Sequence, residues 1–540
     1  MDFLLLSAFY IFLYLHGRGV FFILSKHFNS IDSSYKVEIF YPIIGLFYLG
    51  NCSLIFNFFS GINNIFFYLF AFLPVLINLR YIHLRKINMN YIIFNSVTLL
   101  VLSASFKQVG LHKDASLYHL SYQNWIRSEQ IFGGLTNLHG RFGYSSIYDY
   151  ISSIFWVDEN LILLHAINLS FFTLFANFLF YTIYEKQSVS KNLYFSSLFV
   201  IAYSLLDNFG FGGGRNGYLY IEGIGKQDAA FGIVFYIGSI LLFDLIATKK
   251  FDKRDLFLVT LLALFAFELR VMGALLLIFT ITLLIKSKTL VNKDFILIFL
   301  IPFMWSIKNL IISSCFYYPV VQSCVNLFPW SNLDVVINDS ISIANFHVAL
   351  SAHNNFTEWK THWLSSDLNK IIAFNLLFSL ISLFSATLLL GKFKKFKIYN
   401  LLLFIYISIY IFLWINQAPD FRLGIGFTLL LFGYIGFLIE GLRFNFENYL
   451  KPSLIYFLIL ISFLLLPRMF QFKSLLENFE NFSTVTEKSI DYTKNENSML
   501  YFPTQGEDCG TKYNCSPFIS KFFKIYIGEN ILFKYIYTES

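Results

Sequence analysis

Long apolar runs separated by short polar stretches extend along most of the chain. A helix needs roughly 20 apolar residues to cross the hydrocarbon of a bilayer, and fewer where its ends lie in the interface or inside a bundle. Roughly fourteen runs qualify: 3–24, 37–58, 65–79, 91–106, 161–184, 193–206, 229–247, 256–267, 272–285, 295–312, 371–391, 401–414, 424–439 and 454–467. The pattern therefore predicts an all-α, polytopic membrane protein with about 12–14 transmembrane helices.

The composition supports this prediction. Of 540 residues, 56% are hydrophobic and 14% are charged, whereas a soluble domain keeps about a quarter of its residues charged. The deficit is spread over most of the length, which excludes a soluble enzyme with a single anchor. The first run has no basic stretch before it and no small-residue cleavage site after it, so we expect a retained helix. We find no nucleic-acid-binding module.

Basic residues between the runs predict the orientation, since Lys and Arg are retained on the cytoplasmic side. Seven alternate connections hold twenty of them, at 26–36, 80–86, 186–191, 249–254, 286–293, 392–397 and 443–451. If all fourteen crossings are real, both termini lie outside. Four larger stretches share that outer face: the first polar segment (107–160), the second (207–228), the third (313–370) and the tail (468–540).

The cysteines test this orientation, because disulfides persist outside a reducing cytosol. Cys52 falls within a predicted helix, Cys315 and Cys324 share the third polar segment, and Cys509 and Cys515 share the tail. We predict the pairs 315–324 and 509–515. The alternative is unpaired thiols with incidental spacing.

The first polar segment contains a carboxylate near its start, Asp114, a few residues beyond a predicted helix. From Ala115 onward, apolar and aromatic residues recur at spacings near three and four, which predicts an amphipathic helix lying in the interface. Asp114 then has two interpretations. It caps that helix, which helix chemistry alone favours, or it accepts a proton from an acceptor hydroxyl at the lipid surface.

Further polar motifs follow in the same and the next segment. Around His139 and Arg141, glycines and short polar side chains suit a phosphate or sugar hydroxyls, although Arg also serves as an interfacial anchor. The glycines of 210–217 do not match a phosphate-binding loop. Lys226 and Asp228 are candidates for a lipid-linked phosphate and a polar headgroup, or they pair with each other.

Ionisable residues also occur within or between the apolar runs. Glu268 and Arg270 separate two short runs, and Lys308 lies near the end of another; such groups are functional hypotheses, although snorkelling also explains Lys308. Asp420 and Arg422 share a short turn. His347, His353 and His362 lack metal-ligand spacing, so we predict no metal site.

Several of these motifs together resemble one family. In chain order they are Asp114 with Tyr118 and His119, the run 137–143, Lys226 to Asp228, Lys308 and Asn309 leading to 313–319, and 418–422. The chain resembles the bacterial multi-pass proteins of surface-polysaccharide loci that look like GT-C glycosyltransferases. The likeness covers roughly 91–424. It implies a bacterial inner-membrane protein whose catalytic loops and termini face the periplasm.

The resemblance also implies roles for the candidate residues. GT-C enzymes use a polyprenyl-phosphate-linked sugar donor, and an acid of the first outer loop acts as the base on the acceptor. Asp114 would be that base, and His119 would assist it or orient a glycan or lipid acceptor. Arg141, Lys226 and Arg422 would bind the donor phosphate. The remaining substrate-binding candidates are Tyr118, His139, Asp228, Lys308 and Asp420.

One departure affects the cofactor. Many GT-C enzymes have paired acids in this loop, but Ala115 follows Asp114. A single carboxylate is a poor site for Mg²⁺ or Mn²⁺ unless Glu222 or Asp228 contributes, so the cofactor stays open. Two other functions stay open as well: a repeat-unit polymerase for O-antigen or capsule, and a flippase or transporter of lipid-linked glycans.

The expected organisation has five regions. Three N-terminal transmembrane helices (1–90) precede a GT-C-like transmembrane core (91–313) that contains the first polar segment. A large outer loop (314–370), C-terminal transmembrane helices (371–470) and a periplasmic tail (471–540) complete the chain.

Overall fold

A computed structural model describes residues 1–25, 37–80, 89–107, 109–157, 160–185, 189–207, 221–288, 293–367 and 398–440, with parts of 369–385 and 483–539. The first nine helices are α1 (Asp2–Ser25), α2 (Tyr41–Asn57), α3 (Ile65–Ala71), α4 (Leu73–Arg80), α5 (Met89–Ser103), α6 (Leu120–Ser128), α7 (Ile147–Ile154), α8 (Ile162–Tyr184) and α9 (Lys191–Asp207). The helices that follow are α10 (Asp228–Thr248), α11 (Lys253–Leu269), α12 (Ala274–Lys286), α13 (Lys293–Ser313), α14 (Leu333–Phe346), α15 (Phe356–Trp363), α16 (Ile398–Gln417) and α17 (Ile425–Glu440).

Six helical stretches within the described residues are long and apolar enough to cross a membrane: Asp2–Ile23, Val37–Asn57, Met89–Lys107, Ile162–Tyr184, Asp228–Thr248 and Tyr399–Gln417. Shorter apolar helices cover Val271–Lys286, Phe299–Ser313 and Arg422–Leu438. The chain is therefore mostly helical with several candidate membrane spans, as predicted. The predicted run 454–467 lies outside the described residues, and 371–391 is described only in part.

One predicted span is divided in two. The run 65–79 forms α3 and then α4, with a break after Ala71. Pro74 lies at the start of α4 and has no N–H to donate to the carbonyl four residues earlier, so it cannot continue α3. A hydropathy pattern alone does not distinguish these two short helices from one span.

The centre of the bundle is formed by α8 and α10, in which nearly every residue is buried. α10 packs against α8, α11 and α17, and α17 also packs along α9. A helix surrounded on all sides has no polar face. This explains why these helices read as continuous apolar runs.

α1 and α2 approach each other through glycines. A Cβ on Gly17 would lie only 1.7 Å from the carbonyl oxygen of Tyr41, and one on Gly45 would lie 2.5 Å from that of Leu13. Small residues at such a crossing let two helix backbones pack directly against each other.

We expect Gly17→Ala to destabilise the fold, because the methyl group would force α1 away from α2. Thermal unfolding of the purified protein in detergent should show a clearly lower midpoint. Gly110→Ala is the matched control, since a Cβ there meets nothing within 4 Å and should leave the midpoint unchanged. Equal midpoints for both variants would contradict the close packing.

The tail folds back onto the first polar segment. Its strands form two antiparallel pairs, β1 (Tyr492–Lys494) with β2 (Tyr501–Pro503) and β3 (Lys524–Glu529) with β4 (Lys534–Glu539). Ser121 Oγ donates to the carbonyl of Lys512 at 2.8 Å, and Asn124 Nδ2 donates to that of Thr511 at 2.7 Å. The helix predicted after Ala115 does form, as α6, and the tail contacts it at Ser121 and Asn124.

Candidate functional site

A short backbone bridge joins the first and second polar segments. His112 N–H donates to the carbonyl of Ile224 at 3.0 Å, and Ile224 N–H donates to that of Gly110 at 3.1 Å. Gly225 follows with a φ of +91°, and a Cβ there would lie 2.5 Å from the Ala115 Cβ. Only glycine allows this approach, and it brings Lys226 to the residue that precedes Ala115.

That residue is Asp114, whose carboxylate pairs with the Lys226 ammonium. Its side chain makes no hydrogen bond to the helix N-terminus, so the cap interpretation is wrong. Burial raises the pKa of the Asp114 carboxyl, but the Lys226 ammonium, together with His112 and His119, lowers it to about 2. The carboxylate is therefore ionised at neutral pH.

Asp228 has a different partner. Its carboxylate, almost fully buried at the start of α10, accepts from the Arg270 guanidinium in the connection between α11 and α12. Lys226 and Asp228 thus do not form the mutual pair that was one interpretation of their spacing. Arg270 also lies close enough to Arg422 for their charges to act on each other.

Arg422 arrives from the turn between α16 and α17. Its Nη2 lies 3.1 Å from the Asp420 carboxylate, which His347 Nδ1 also approaches at 3.3 Å. Burial raises the pKa of Asp420, but His347 and Arg422 together lower it below its usual range. Burial lowers the pKa of the Lys226 ammonium, and the positive charge of Arg422 lowers it further.

Three basic side chains therefore form a connected group: Lys226 pairs with Asp114, and the charge of Arg422 acts on both Lys226 and Arg270. Glu222 lies next to them, fully buried, and accepts from the Ala229 N–H at 3.0 Å. Burial raises the pKa of Glu222. Within the described residues no group of three or more potential ligands could hold a metal ion. Asp114 and Asp228 are each paired with a basic side chain, so these residues do not fit a divalent cation.

Tyr118 and His119 lie at the turn after Asp114. Burial and the Asp114 carboxylate raise the pKa of the Tyr118 phenol. His119 Nδ1 lies 2.8 Å from a carboxylate oxygen of Asp149, and both side chains are buried. The sequence interpretation coupled His119 to Asp114 and missed Asp149.

His139 and Arg141 occupy a loop that packs on the third polar segment. Burial and the Arg141 charge lower the pKa of His139 to about 3, so its imidazole is neutral at pH 7. The guanidinium of Arg141 lies over the Tyr144 ring, 5.7 Å from its centroid. Its charge acts on the Asp339 carboxyl and on the Tyr118 phenol.

Lys308 is fully buried in α13. Its ammonium donates to Ser145 Oγ at 2.6 Å and lies 3.4 Å from the centroid of the Trp305 ring. The side chain does not extend to the interface, so snorkelling is wrong. Lys308 instead lies behind the first polar segment, where its charge and those of Asp149 and Glu268 act on each other.

The other predicted features have these positions. Cys315 is bonded to Cys324 and Cys509 to Cys515, while Cys52 is free and buried. Glu268 accepts from Asn51 Nδ2 at 3.0 Å. The glycine-rich run 210–217 lies outside the described residues.

We expect Asp228→Asn to lower stability by on the order of 2 kcal/mol, because the largely buried Arg270 guanidinium loses its charged partner. Thermal unfolding in detergent measures the effect. Asp367→Asn is the matched control: Asp367 pairs with Lys370 on an exposed surface, where such a pair contributes little. Equal effects in the two variants would argue against the Asp228–Arg270 pair.

A family model described as a domain of unknown function (DUF8201) matches residues 1–429. No curated protein and no solved structure matches the chain.

Proposed function

The chain belongs to this DUF8201 family, whose description assigns no activity, so we propose a function from its own residues. In this proposal the protein is a membrane glycosyltransferase that transfers a sugar from a polyprenyl-phosphate-linked donor to a surface glycan or lipid. The reaction takes place on the outer face of the bacterial inner membrane.

One observation carries this proposal: a carboxylate and several cations from distant parts of the chain meet at one place. Asp114 pairs with Lys226, 112 positions further on, and the charge of Arg422 acts on Lys226 and on Arg270. Transfer from a phosphate donor requires both kinds of group. A base must accept the proton of the acceptor hydroxyl, and cations must stabilise the phosphate as it leaves.

The chemistry assigns a task to each group. The acceptor hydroxyl oxygen forms a bond to the anomeric carbon, and the bond from that carbon to the phosphate oxygen breaks with its electron pair on the phosphate. The hydroxyl proton passes to Asp114. Lys226 and Arg422 bind the phosphate, whose negative charge grows as the bond breaks.

The Asp114–Lys226 pair also suggests how donor and acceptor act together. Without a donor, the Lys226 ammonium is occupied by Asp114. A donor phosphate competes for that ammonium, and the carboxylate then becomes available to the acceptor hydroxyl. Arg141, whose charge reaches Tyr118, serves as a further cation for the phosphate.

The position of the site in the bundle supports the proposed orientation. The site residues follow the ends of α5 and α16 and precede the starts of α8, α10 and α17. These termini share one end of the bundle if the helices alternate in direction. We propose that this end faces the periplasm, with a GT-C-like arrangement of about 12–14 spans.

The test is transfer by the purified full chain in nanodiscs. A panel of radiolabelled polyprenyl-phosphate hexoses is supplied with a membrane extract as acceptor, and the release of free polyprenyl phosphate is measured. Release that depends on the acceptor supports the proposal. No release with any donor, together with a deletion strain that makes single repeat units only, would favour the polymerase instead. Internal accumulation of lipid-linked glycan would favour the flippase.

A further inference from the structure

A short loop of the tail, residues 509–515, docks on the first polar segment and is closed by a disulfide. Its residues 510–512 each make one hydrogen bond to the stretch 116–124, which holds most of a π-helical turn and the start of α6. This stretch begins shortly after Asp114, so the loop contacts chain that continues directly from the candidate site. The three bonds join Gly510 N–H to the Ser116 carbonyl at 2.7 Å, Asn124 Nδ2 to the Thr511 carbonyl at 2.7 Å and Ser121 Oγ to the Lys512 carbonyl at 2.8 Å.

In all three bonds the loop contributes a main-chain group, so docking depends on the conformation of the loop. One end of the loop is bound to β2, where Tyr501 N–H donates to the Asn514 carbonyl at 2.8 Å. At the other end, the Cys509 carbonyl accepts from the Tyr492 hydroxyl at 2.9 Å. The disulfide from Cys509 to Cys515 joins the two ends and restricts the conformations of the residues between them.

We propose that oxidation of Cys509 and Cys515 is the step that docks the tail on the first polar segment. Residues 116–124 then reach their final state only where the chain meets an oxidant. The two thiols lose two electrons and two protons to an external disulfide, which is released as two thiols, and one S–S bond forms in the chain. This inference concerns assembly of the fold and does not depend on the proposed sugar transfer.

Burial makes the closure directional. Cys509 and Cys515 are both fully buried, and Gly510 beside them is buried as well. To break the bond again, an external thiolate must reach one of the two sulfur atoms. The docked loop therefore protects the disulfide that closes it, and the tail stays in place once the bond has formed.

The second disulfide provides a matched comparison. The bond from Cys315 to Cys324 also closes a short loop, in the third polar segment. That loop is bonded within itself, for example from Phe316 N–H to the Ser323 carbonyl at 3.1 Å. Among the described residues, no hydrogen bond of this loop reaches 116–124. Loss of the second disulfide should therefore leave that stretch unchanged.

The test measures hydrogen–deuterium exchange of the full chain in nanodiscs by mass spectrometry. In Cys509→Ser/Cys515→Ser, we expect peptides covering 116–128 to exchange about 10-fold faster or more than in the wild type, because this stretch loses its docked partner. In the matched control, Cys315→Ser/Cys324→Ser, the same peptides should stay within about threefold of the wild-type rate. Peptides of α10 should keep the wild-type rate in both variants, since α10 packs against α8, α11 and α17.

A second measurement leaves the tail cysteines in place. The Cys315→Ser/Cys324→Ser chain is synthesised into nanodiscs under reducing conditions and is then given oxidised glutathione. Exchange of 116–128 should be fast at first and should slow by about 10-fold as the 509–515 bond forms. Formation of the bond is followed by the mass of alkylated peptides.

Each outcome decides the proposal. Wild-type exchange of 116–128 in Cys509→Ser/Cys515→Ser, or no slowing when the reduced chain is oxidised, would show that docking does not need the bond. An equal rise in the two variants would mean that loss of either disulfide loosens this stretch, and would overturn the proposal. Faster exchange of α10 in Cys509→Ser/Cys515→Ser would assign the bond to the stability of the whole fold and would overturn it as well.

Discussion

Asp114→Asn is expected to lower kcat for sugar transfer by about 100-fold or more. An amide cannot accept the hydroxyl proton, although it has nearly the same size as the carboxylate and can still accept a hydrogen bond from Lys226. The donor KM should not rise, because the Lys226 ammonium loses its competing anion and is freer to bind a phosphate. A fall in kcat without a weaker KM is what removal of a base predicts.

The measurement is initial-rate kinetics with a polyprenyl-phosphate hexose, on protein whose thermal unfolding matches the wild type. Asp334→Asn changes an exposed carboxylate in α14 and should leave the rate unchanged. Asp114→Glu keeps the negative charge and should retain part of the wild-type rate. Unchanged transfer by a folded Asp114→Asn protein would exclude Asp114 as the base.

Lys226→Met is expected to raise the donor KM by roughly 10-fold to 100-fold, since a hydrogen bond to a charged group contributes about 1.5–3 kcal/mol. The apolar side chain keeps the length of the stem and removes the ammonium. Lys226→Arg should restore much of the affinity. Lys113→Met is the control. Lys113 directly precedes Asp114 in the chain and its side chain is exposed, so its loss should change the donor KM little.

The same substitution has a second effect, on the pH dependence. Burial raises the pKa of Asp114, and Lys226, together with His112 and His119, lowers it to about 2. Without the ammonium, burial dominates and this pKa rises. In the wild type, the ion pair stabilises the fold above the ordinary carboxyl range, and this contribution is lost as the pH falls toward 2. In Lys226→Met the stabilising contribution of this ion pair should be absent at every pH. The acid unfolding curves of the two proteins should therefore converge at low pH.

The sequence predicts much of the helical fold because a membrane span requires a long apolar run. Predicted bounds for α8 and α10 agree with the structure to within a residue or two. The break before Leu73 could not be predicted from hydropathy, since Pro74 also lies within an apolar run. Nor could the pattern predict that the tail would cover α6, because contacts between residues nearly 400 positions apart leave no local signal.

The candidate site shows the same limit. Asp114 and Lys226 were recognisable as polar residues next to helix ends, but their pairing depends on the bridge at Ile224 and on the positive φ of Gly225. Arg270 was visible as an ionisable residue between two short runs, although nothing linked it to Asp228. Asp149 carried no signal beyond a helix-capping pattern, and only the fold places it against His119.

The return of the tail to residues 116–138 has a consequence for biogenesis. Gly133 N–H donates to the carbonyl of Lys534, and Ile536 N–H donates to that of Gly133, so this part of the site region receives partners that a ribosome makes about 400 residues later. Helices can insert as they are synthesised, yet these bonds form only after the C-terminal residues have been synthesised. A truncation before Thr511 would leave Ser121 and Asn124 without the acceptors that Lys512 and Thr511 provide.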